Sequence, residues 1–426
     1  MPWFFERSAR IDKSEVLALV RKSAREARRR ICENPKKVLL LPPDITRAHC
    51  GAGWITEALY LEFSSTAEVF VMPTLSQHVQ HTPEQNRWRD VSIPEDLILF
   101  HYCIRDTKLI GAIPAEYVSA IMDGKVDWEL PFSVNKTLLE GGWDLIINVG
   151  QVVPHEVLGF ANHNKNYFIG LGGRDTIAAT HMASACHGIE ANMGRLVTPL
   201  RHCFNKAESE FLGKLPDYYI MVVMASDMDG NLAHTGFYCG NDLDTYIMAA
   251  EQSMKENITV VPPLKKVVAF MREDEYHSTW VADKAVYRTR KAMADGGELI
   301  VIAPGLKRFG EHADIDRLIR KYGYAGAEKI TKAWKEDSEL KRLAHAAAHL
   351  IHGSSEGRFT VTYAPGGLSQ GDIEGVGYQY LDLSEALRRY NPADLNEGFN
   401  TLADGEEVYC IKNPSAGLWS TADKLN

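Results

Sequence analysis

The chain has 426 residues, 45% of them apolar and 24% charged, with a formal net charge of −9. That length exceeds one ordinary core and points to two or three domains, and the mixture is that of a folded enzyme, not of a fibrous or disordered chain. An acidic balance argues against a general nucleic-acid or anionic-membrane surface and leaves small molecules as the expected partners.

The one dense basic run, residues 21–30, falls on a predicted N-terminal helix and is expected to be solvated or to face another subunit, so a homo-oligomer is allowed. Seven cysteines, at positions 32, 50, 103, 186, 203, 239 and 410, form no Cys-x-x-Cys pair and no closely spaced framework. Reduced thiols in a cytoplasmic protein are the expectation. The opening MPWFFERSAR lacks an apolar core of signal-peptide length, and no uncharged run reaches the ~18 residues that a membrane span needs, so neither export nor a membrane partner is expected.

In chain order, a helical pattern over residues 13–33 is followed by KVLLL at 37–41, a β-type run that ends at Pro42-Pro43 and delivers Asp44, Thr46 and Arg47. A helix over 54–60 leads to a strand over 68–72, whose end presents Thr74 and His78. The spacing then predicts a short helix over 83–89, a strand over 97–103 carrying His101, a helix over 114–122 and a polar connection holding Asn135-Lys136. The central strand, 144–149, stops at Gly150. A loop after it carries His155, Gly159, Asn162-His163-Asn164-Lys165 and Gly172-Gly173, and a small-residue helix capped by Asp175 or Thr176 follows, with His181 in its second turn. From Tyr218 two strands are predicted, joined by a tight turn at Asp229-Gly230. A helix over 241–256 runs to Val260-Val261-Pro262-Pro263, the best domain boundary. Beyond it a strand over 266–270, a helix over 283–294 stopped by Gly296-Gly297 and a strand over 298–303 make a βαβ unit. Helical residues 312–353, a strand over 358–363, a helix over 383–390 and a strand over 407–411 complete the pattern.

Strands alternating with helical segments indicate an α/β fold of two domains, each a mainly parallel or mixed sheet with flanking helices. The expected division is 1–260, holding the catalytic residues, and 261–426, closing over the substrate, with the active site in the cleft between them. In open sheets of this kind ligands gather at the carboxyl ends of the strands. Asp44, Thr46, Arg47, Thr74, His78, His101 and His155 all lie at or just past such ends.

Other chemistries compete for these residues. Asp227-x-Asp229-Gly230 after an apolar strand is similar to the phosphatase motif of the haloacid dehalogenases, although the predicted hairpin explains the same residues. His155, His181 and His187 would serve a zinc hydrolase, but His181 and His187 are six apart on one helix and face different ways. A non-catalytic binding protein for a small acid is the remaining alternative.

With Asp44-x-Thr46-Arg47, His101, Pro154-His155, Lys165 and His181 laid out, the chain resembles the lactate racemase family of nickel-pincer-dependent racemases and epimerases. His155 stands ten residues before Lys165 and His181 sixteen after it, offsets that fit the family's core motif. The resemblance implies a pyridinium thioamide/thiocarboxylic acid mononucleotide carrying nickel, held covalently on Lys165 and supplied by cofactor-synthesis proteins. It makes His181 the nickel ligand, His101 and His155 the two acid/base residues, and Asp44, Thr46, Arg47 and Thr74 the cofactor's surroundings. Arg47 would meet the substrate carboxylate or the cofactor phosphate. Hydride transfer suits a 2-hydroxy acid, because direct loss of the α-proton would build charge beside an existing carboxylate. Where the family has Asn-His-Asp, this chain has Phe100-His101-Tyr102. Where it has Gly-Gly before the lysine, this chain has Asn162-His163-Asn164. On the second-domain helix Arg288 replaces the family's usual Gln, three residues before Lys291. One helical turn would put both cations on the same face, and lactate is too small to use both. A sugar acid or a hydroxy-dicarboxylate is the substrate so implied, with an exposed ion pair to Asp283 or Glu298 as the other reading of Arg288.

Overall fold

A computed structural model describes residues 1–76, 81–82, 93–226, 232–415 and 417–425. The chain divides into two units, Met1–Thr180 with Arg195–Glu256, and His181–Gly194 with Asn257–Asn426.

In the first unit the strands are β1 (Phe4–Ile11), β2 (Lys37–Leu41), β3 (Glu68–Val71), β4 (Thr107–Ile113), β5 (Leu130–Asn135), β6 (Leu145–Gln151), β7 (Pro154–His155), β8 (Gly159–Phe160), β9 (Asp217–Ser226) and β10 (Leu232–Gly240). Six form one sheet in the order β1-β10-β9-β6-β2-β3. β3, β2, β6 and β9 run parallel, β10 returns antiparallel to β9, and β1 pairs antiparallel with β10. All seven residues of β6 are buried, as expected for a central strand covered on both faces. The helix Lys13–Arg30 packs Val16, Val20, Ala24 and Ala27 into this core at helical spacing. Asp12 caps it in a reciprocal box with Glu15, and Arg28, Arg29 and Arg30 fill its last turn, where the helix dipole favours cations.

The expected strand over 97–103 is not formed: the chain makes a single turn at Glu95–Leu97 and touches the sheet edge at one bridge, Val71 with Ile98. Phe100, Tyr102 and Ile104 are exposed there, so the apolar run that suggested a strand has no second face to bury. Pairing resumes with β4 against β5, two antiparallel strands the sequence pattern did not single out. β9 and β10 form the expected hairpin. Its turn, with Asp227 and Asp229, lies outside the described residues, as do His78 and the helix expected over 83–89.

The second unit has β11 (Ile258–Val260), β12 (Leu264–Phe270), β13 (Met293–Ala303), β14 (Thr360–Pro365), β15 (Gln379–Tyr380), β16 (Gly398–Thr401), β17 (Glu407–Ile411) and β18 (Leu418–Ser420). Its main sheet runs β15-β14-β13-β12-β17-β16, parallel apart from β16 against β17. β12 and β13 are the parallel pair expected of a βαβ unit, but the helix between them is shorter than 283–294. It is split into Thr279–Ala282 and Lys284–Thr289, and the chain is already extended at Met293. Gly296-Gly297 is therefore not a helix stop. Gly296 sits inside β13 with φ 74° and donates its N–H to the Arg358 carbonyl at 2.6 Å, beside a register shift opposite Leu264 and Lys266. Glycine takes that left-handed bend without strain. Residues 312–353 break into four helices, Ala313–Tyr322, Ala327–Glu336, Ser338–Arg342 and Ala344–His352. Among the described residues no helix is long and apolar enough to cross a membrane, and all seven cysteines are free thiols.

Candidate functional site

The carboxyl ends of β2, β3 and β6 carry several of the first unit's candidate site residues. Pro43 bridges Thr74, and the Thr74 hydroxyl donates to the Pro42 carbonyl at 3.2 Å. A Cβ on Gly170 would stand 2.5 Å from the Thr74 Cβ, so Thr74 is packed as a spacer between the strand ends and the loop beyond Lys165. Asp44 follows β2 just before a short 3-10 segment, Ile45–Cys50, which carries Arg47. The side chain of Thr46 is outside the described residues.

After β6 the chain folds back as the two-residue pair β7 and β8, which sets His155 opposite Gly159. The Val157 N–H donates to His155 Nδ1 at 3.1 Å. An accepting Nδ1 leaves the neutral ring's proton on Nε2, and Nε2 lies 3.6 Å from Glu156 Oε1. The loop then passes through Asn162 and His163 with φ of 75° and 60°. Glycine favours that left-handed region, and Asn and His enter it more readily than most side chains. The glycine-type backbone path is thus kept by two residues that are not glycine. His163 is buried, its ring 4.8 Å from that of Tyr219 and 5.2 Å from that of Tyr246, and burial pushes its pKa down to about 3.

Lys165 follows at once, half-buried at the head of a π-helical turn, Asn166–Gly170. Burial and then the Arg47 guanidinium lower its pKa to about 8, against the opposing pull of the Glu156 and Asp44 carboxylates. Asp44, Arg47 and Lys165 are therefore electrostatic neighbours. The sequence reading missed the residue that anchors this loop. Arg201, from the helix Pro199–Ala207, is buried and donates to Asn164 Oδ1 at 2.7 Å, the Phe160 carbonyl at 2.6 Å and the Tyr246 hydroxyl at 2.8 Å. A lone Arg on an amphipathic helix carries no signal of such a role; only the fold brings it to residues 160–164.

His101 is buried at the end of its irregular segment, 1% exposed. Asn135 caps the next helix by accepting from the Thr137 N–H at 2.8 Å. That leaves its NH2 to face His101 Nδ1 at 3.0 Å, so this ring too carries its proton on Nε2. Burial lowers its pKa to about 4, with Asp106 and the Gly172 backbone opposing. The Asn135 N–H donates to the Leu171 carbonyl at 2.9 Å, which ties the His101 support to the segment after Lys165. The hydrogen bonds at Nδ1 thus anchor the rings at 101 and 155 to different segments.

In the second unit His181 is half-buried on the helix Arg174–His187. That helix starts at Arg174, so Asp175 and Thr176 lie in its first turn and are not caps. Thr176 instead accepts from the Ser133 N–H at 2.9 Å. Arg288 and Lys291 are not on one helical face: the helix ends at Thr289, and Lys291 sits beyond it in a bridge to Ser420. Both are buried, at 5% and 1% exposure, so Arg288 is not the exposed side chain that the ion-pair reading assumed. Asp283 takes hydrogen bonds from the Tyr363 hydroxyl at 2.6 Å and the Tyr378 hydroxyl at 3.2 Å, and Glu298 pairs with Lys266 at 3.0 Å. Arg288 reaches the Gly417 carbonyl at 3.4 Å, and the Lys291 ammonium reaches that of Met193 at 3.5 Å.

Among the described residues no three His, Cys, Asp or Glu side chains gather as a metal cluster. A pincer group brings its own sulfur and carbon donors and asks the chain for an amine and one imidazole, a set for which no such cluster is needed. Lys165 fits the first demand. No hydrogen bond or ion pair holds its amine among the described residues, while Arg201 and Asn164 pin the loop on which it stands. His181 supplies an imidazole at the expected offset.

Residues 11–194 match a family model described as the lactate racemase N-terminal domain. No curated protein matches the chain. Among solved structures, a Thermotoga maritima protein is similar over 98% of this chain and 100% of its own, with a TM-score of 0.80 at 21% identity. The lactate racemase apoprotein from Thermoanaerobacterium thermosaccharolyticum is similar over 95% and 92%, with a TM-score of 0.70 at 14% identity. At those identities the two structures speak for the fold.

Proposed function

We propose that the chain, whose residues 11–194 match the lactate racemase N-terminal domain model, inverts C2 of a 2-hydroxy acid larger or more polar than lactate. Domain and fold support an isomerase of the racemase or epimerase type. The finer reading assigns Lys165 as the attachment point of a nickel-pincer nucleotide and His181 as the chain's ligand to its nickel. When bound, that group supplies a hydride acceptor and donor, so the α-hydrogen leaves with its electron pair and returns to either face of a planar 2-keto acid.

The chain's own residues do the rest. Asp44, Thr46, Arg47 and Thr74 would form the cofactor's surroundings, and Arg47 would be the cation for a carboxylate or phosphate beside Lys165. Arg288 and Lys291, although not on one helical face, are assigned as two separate cations to the substrate's anionic groups, and the second is what calls for a sugar acid or a hydroxy-dicarboxylate. His101 and His155 exchange the hydroxyl proton. Each ring rests neutral, with Nε2–H ready to donate to a substrate oxygen. Acting as base requires the proton to stand on Nδ1 instead. At His101 that needs the Asn135 amide to turn over; at His155 it needs the bond from the Val157 N–H to open.

The observation that carries this reading is the Lys165 amine, unpartnered among the described residues and made partly neutral at physiological pH by burial and Arg47. Protein produced together with the cofactor-synthesis proteins should show an added mass on Lys165 and bound nickel. It should racemise a larger hydroxy acid faster than lactate, a preference that Arg288→Gln weakens. Metal without an adduct would sink the cofactor assignment, and lactate outrunning every larger acid would sink the substrate assignment.

A further inference from the structure

Asn162 is 4% exposed, and its left-handed φ of 75° is one that glycine would adopt without strain. Its Oδ1 is fully used, accepting from the His163 N–H at 2.6 Å and from Asn166 Nδ2 at 3.2 Å. Those two donors fix which way the amide points, and they leave Nδ2 buried with no hydrogen-bond partner among the described residues. Nδ2 looks toward the ends of β6 and β2: a Cβ built on Gly150 would lie 3.3 Å from it and 3.9 Å from the Pro43 ring. Pro43 precedes Asp44, so the amide opens on the same strand ends as Lys165, three residues further along its own loop. An orphaned, oriented donor in a strained backbone is destabilising unless something else accepts from it.

We propose that the Asn162 side-chain amide is a ligand-binding group of this site, donating a hydrogen bond to an anionic oxygen of the guest held beside Lys165. The acceptor is a carboxylate or phosphate oxygen, because an anionic acceptor strengthens the bond and the neighbouring Arg47 favours the same charge. The assignment rests on the proposed function for the guest's identity and on the chain's own geometry for the donor. Glycine at this position would give the same backbone path without the donor, so Asn162 sets ligand preference in this chain.

The test uses the unloaded full-length protein and its Asn162→Gly and Asn162→Asp variants. Side-chain amide NMR signals are followed during titration with inorganic phosphate in one arm and with glycolate in the other. Glycolate is a 2-hydroxy acid with no stereocentre to invert. One of the two anions should move the signal that Asn162→Gly deletes, and that variant should bind it roughly 10-fold more weakly, as expected for one lost bond to a charged acceptor. Its melting temperature should be unchanged or raised. Asn162→Asp, which puts an anion where the donor was, should bind weakest. A response to phosphate assigns the donor to the cofactor's phosphate, and a response to glycolate assigns it to the substrate's carboxylate. The proposal is overturned if neither anion moves the Asn162 amide or if the glycine variant binds both as tightly as the native protein. Weakened binding by the glycine variant, combined with no racemisation by loaded native enzyme, would reject the racemase reading and leave the donor in place.

Discussion

Attachment through an amine requires the amine to be neutral, so the titration of Lys165 is the property most directly tied to the proposed cofactor. With its pKa lowered from 10.5 to about 8, about 9% of the amine is unprotonated at pH 7, against about 0.03% for an ordinary lysine. The difference is about 300-fold in reactive amine. Competitive acylation with a trace anhydride, read peptide by peptide by mass spectrometry, measures this directly. Lys165 should reach half its limiting reactivity near pH 8, while exposed lysines such as Lys108 keep rising beyond pH 10. Two substitutions give opposite signs. Arg47→Gln removes a neighbouring cation and should raise the midpoint; Glu156→Gln removes a neighbouring anion and should lower it. A Lys165 profile parallel to those of the surface lysines would refute the reasoning, as would two shifts in the same direction. Because the folded state disfavours the ammonium, acylated protein should also unfold at a higher denaturant midpoint than unmodified protein, whose own stability rises between pH 8 and 10.5.

Arg201→Met should destabilise the first unit by about 3–5 kcal/mol, because it strips a buried guanidinium from three acceptors and leaves Glu208 without its cation. Urea unfolding and hydrogen exchange over residues 160–170 would check it, and a loss below about 1 kcal/mol would contradict the anchoring role. Asn135→Asp should draw the His101 proton to Nδ1 and lift its pKa above the present value of about 4. Imidazole nitrogen shifts report both, and an unchanged tautomer would show that Asn135 does not control this ring. In the second unit, burial raises the Asp283 pKa to about 7, so its contribution to stability is complete below about pH 4 and gone above about pH 7. Asp283→Asn should therefore gain on the native protein as pH rises through that window, and a gap that shrinks with pH would reverse the sign.

Periodicity and strand-end chemistry were enough to find the α/β layers, since β2, β6 and the hairpin of β9 and β10 are buried runs long enough to declare themselves. KVLLL was bounded to the residue, because prolines stop it on one side and burial of four of its five positions defines the rest. The same rule failed at 97–103, where an apolar run stays exposed, and at 283–294, where a helical pattern gives way early to β13. Whether an apolar residue is buried depends on the partner surface, which no local window contains. The offsets among His155, Lys165 and His181 were likewise legible, since spacing along one stretch of chain survives folding. Arg201, Asn135 and the direction of the Asn162 amide were not.

Neighbouring positions alone were enough to place the candidate residues at strand ends and on one loop, because alternation and loop spacing are local properties. Their state came only with the folded chain: the proton on Nε2 of two buried imidazoles, an amine at 165 whose pKa burial lowers, and a donor at 162 with no partner among the described residues. Tautomer, charge and hydrogen-bond direction are set by groups distant in the chain and close in space, acting where water has been excluded.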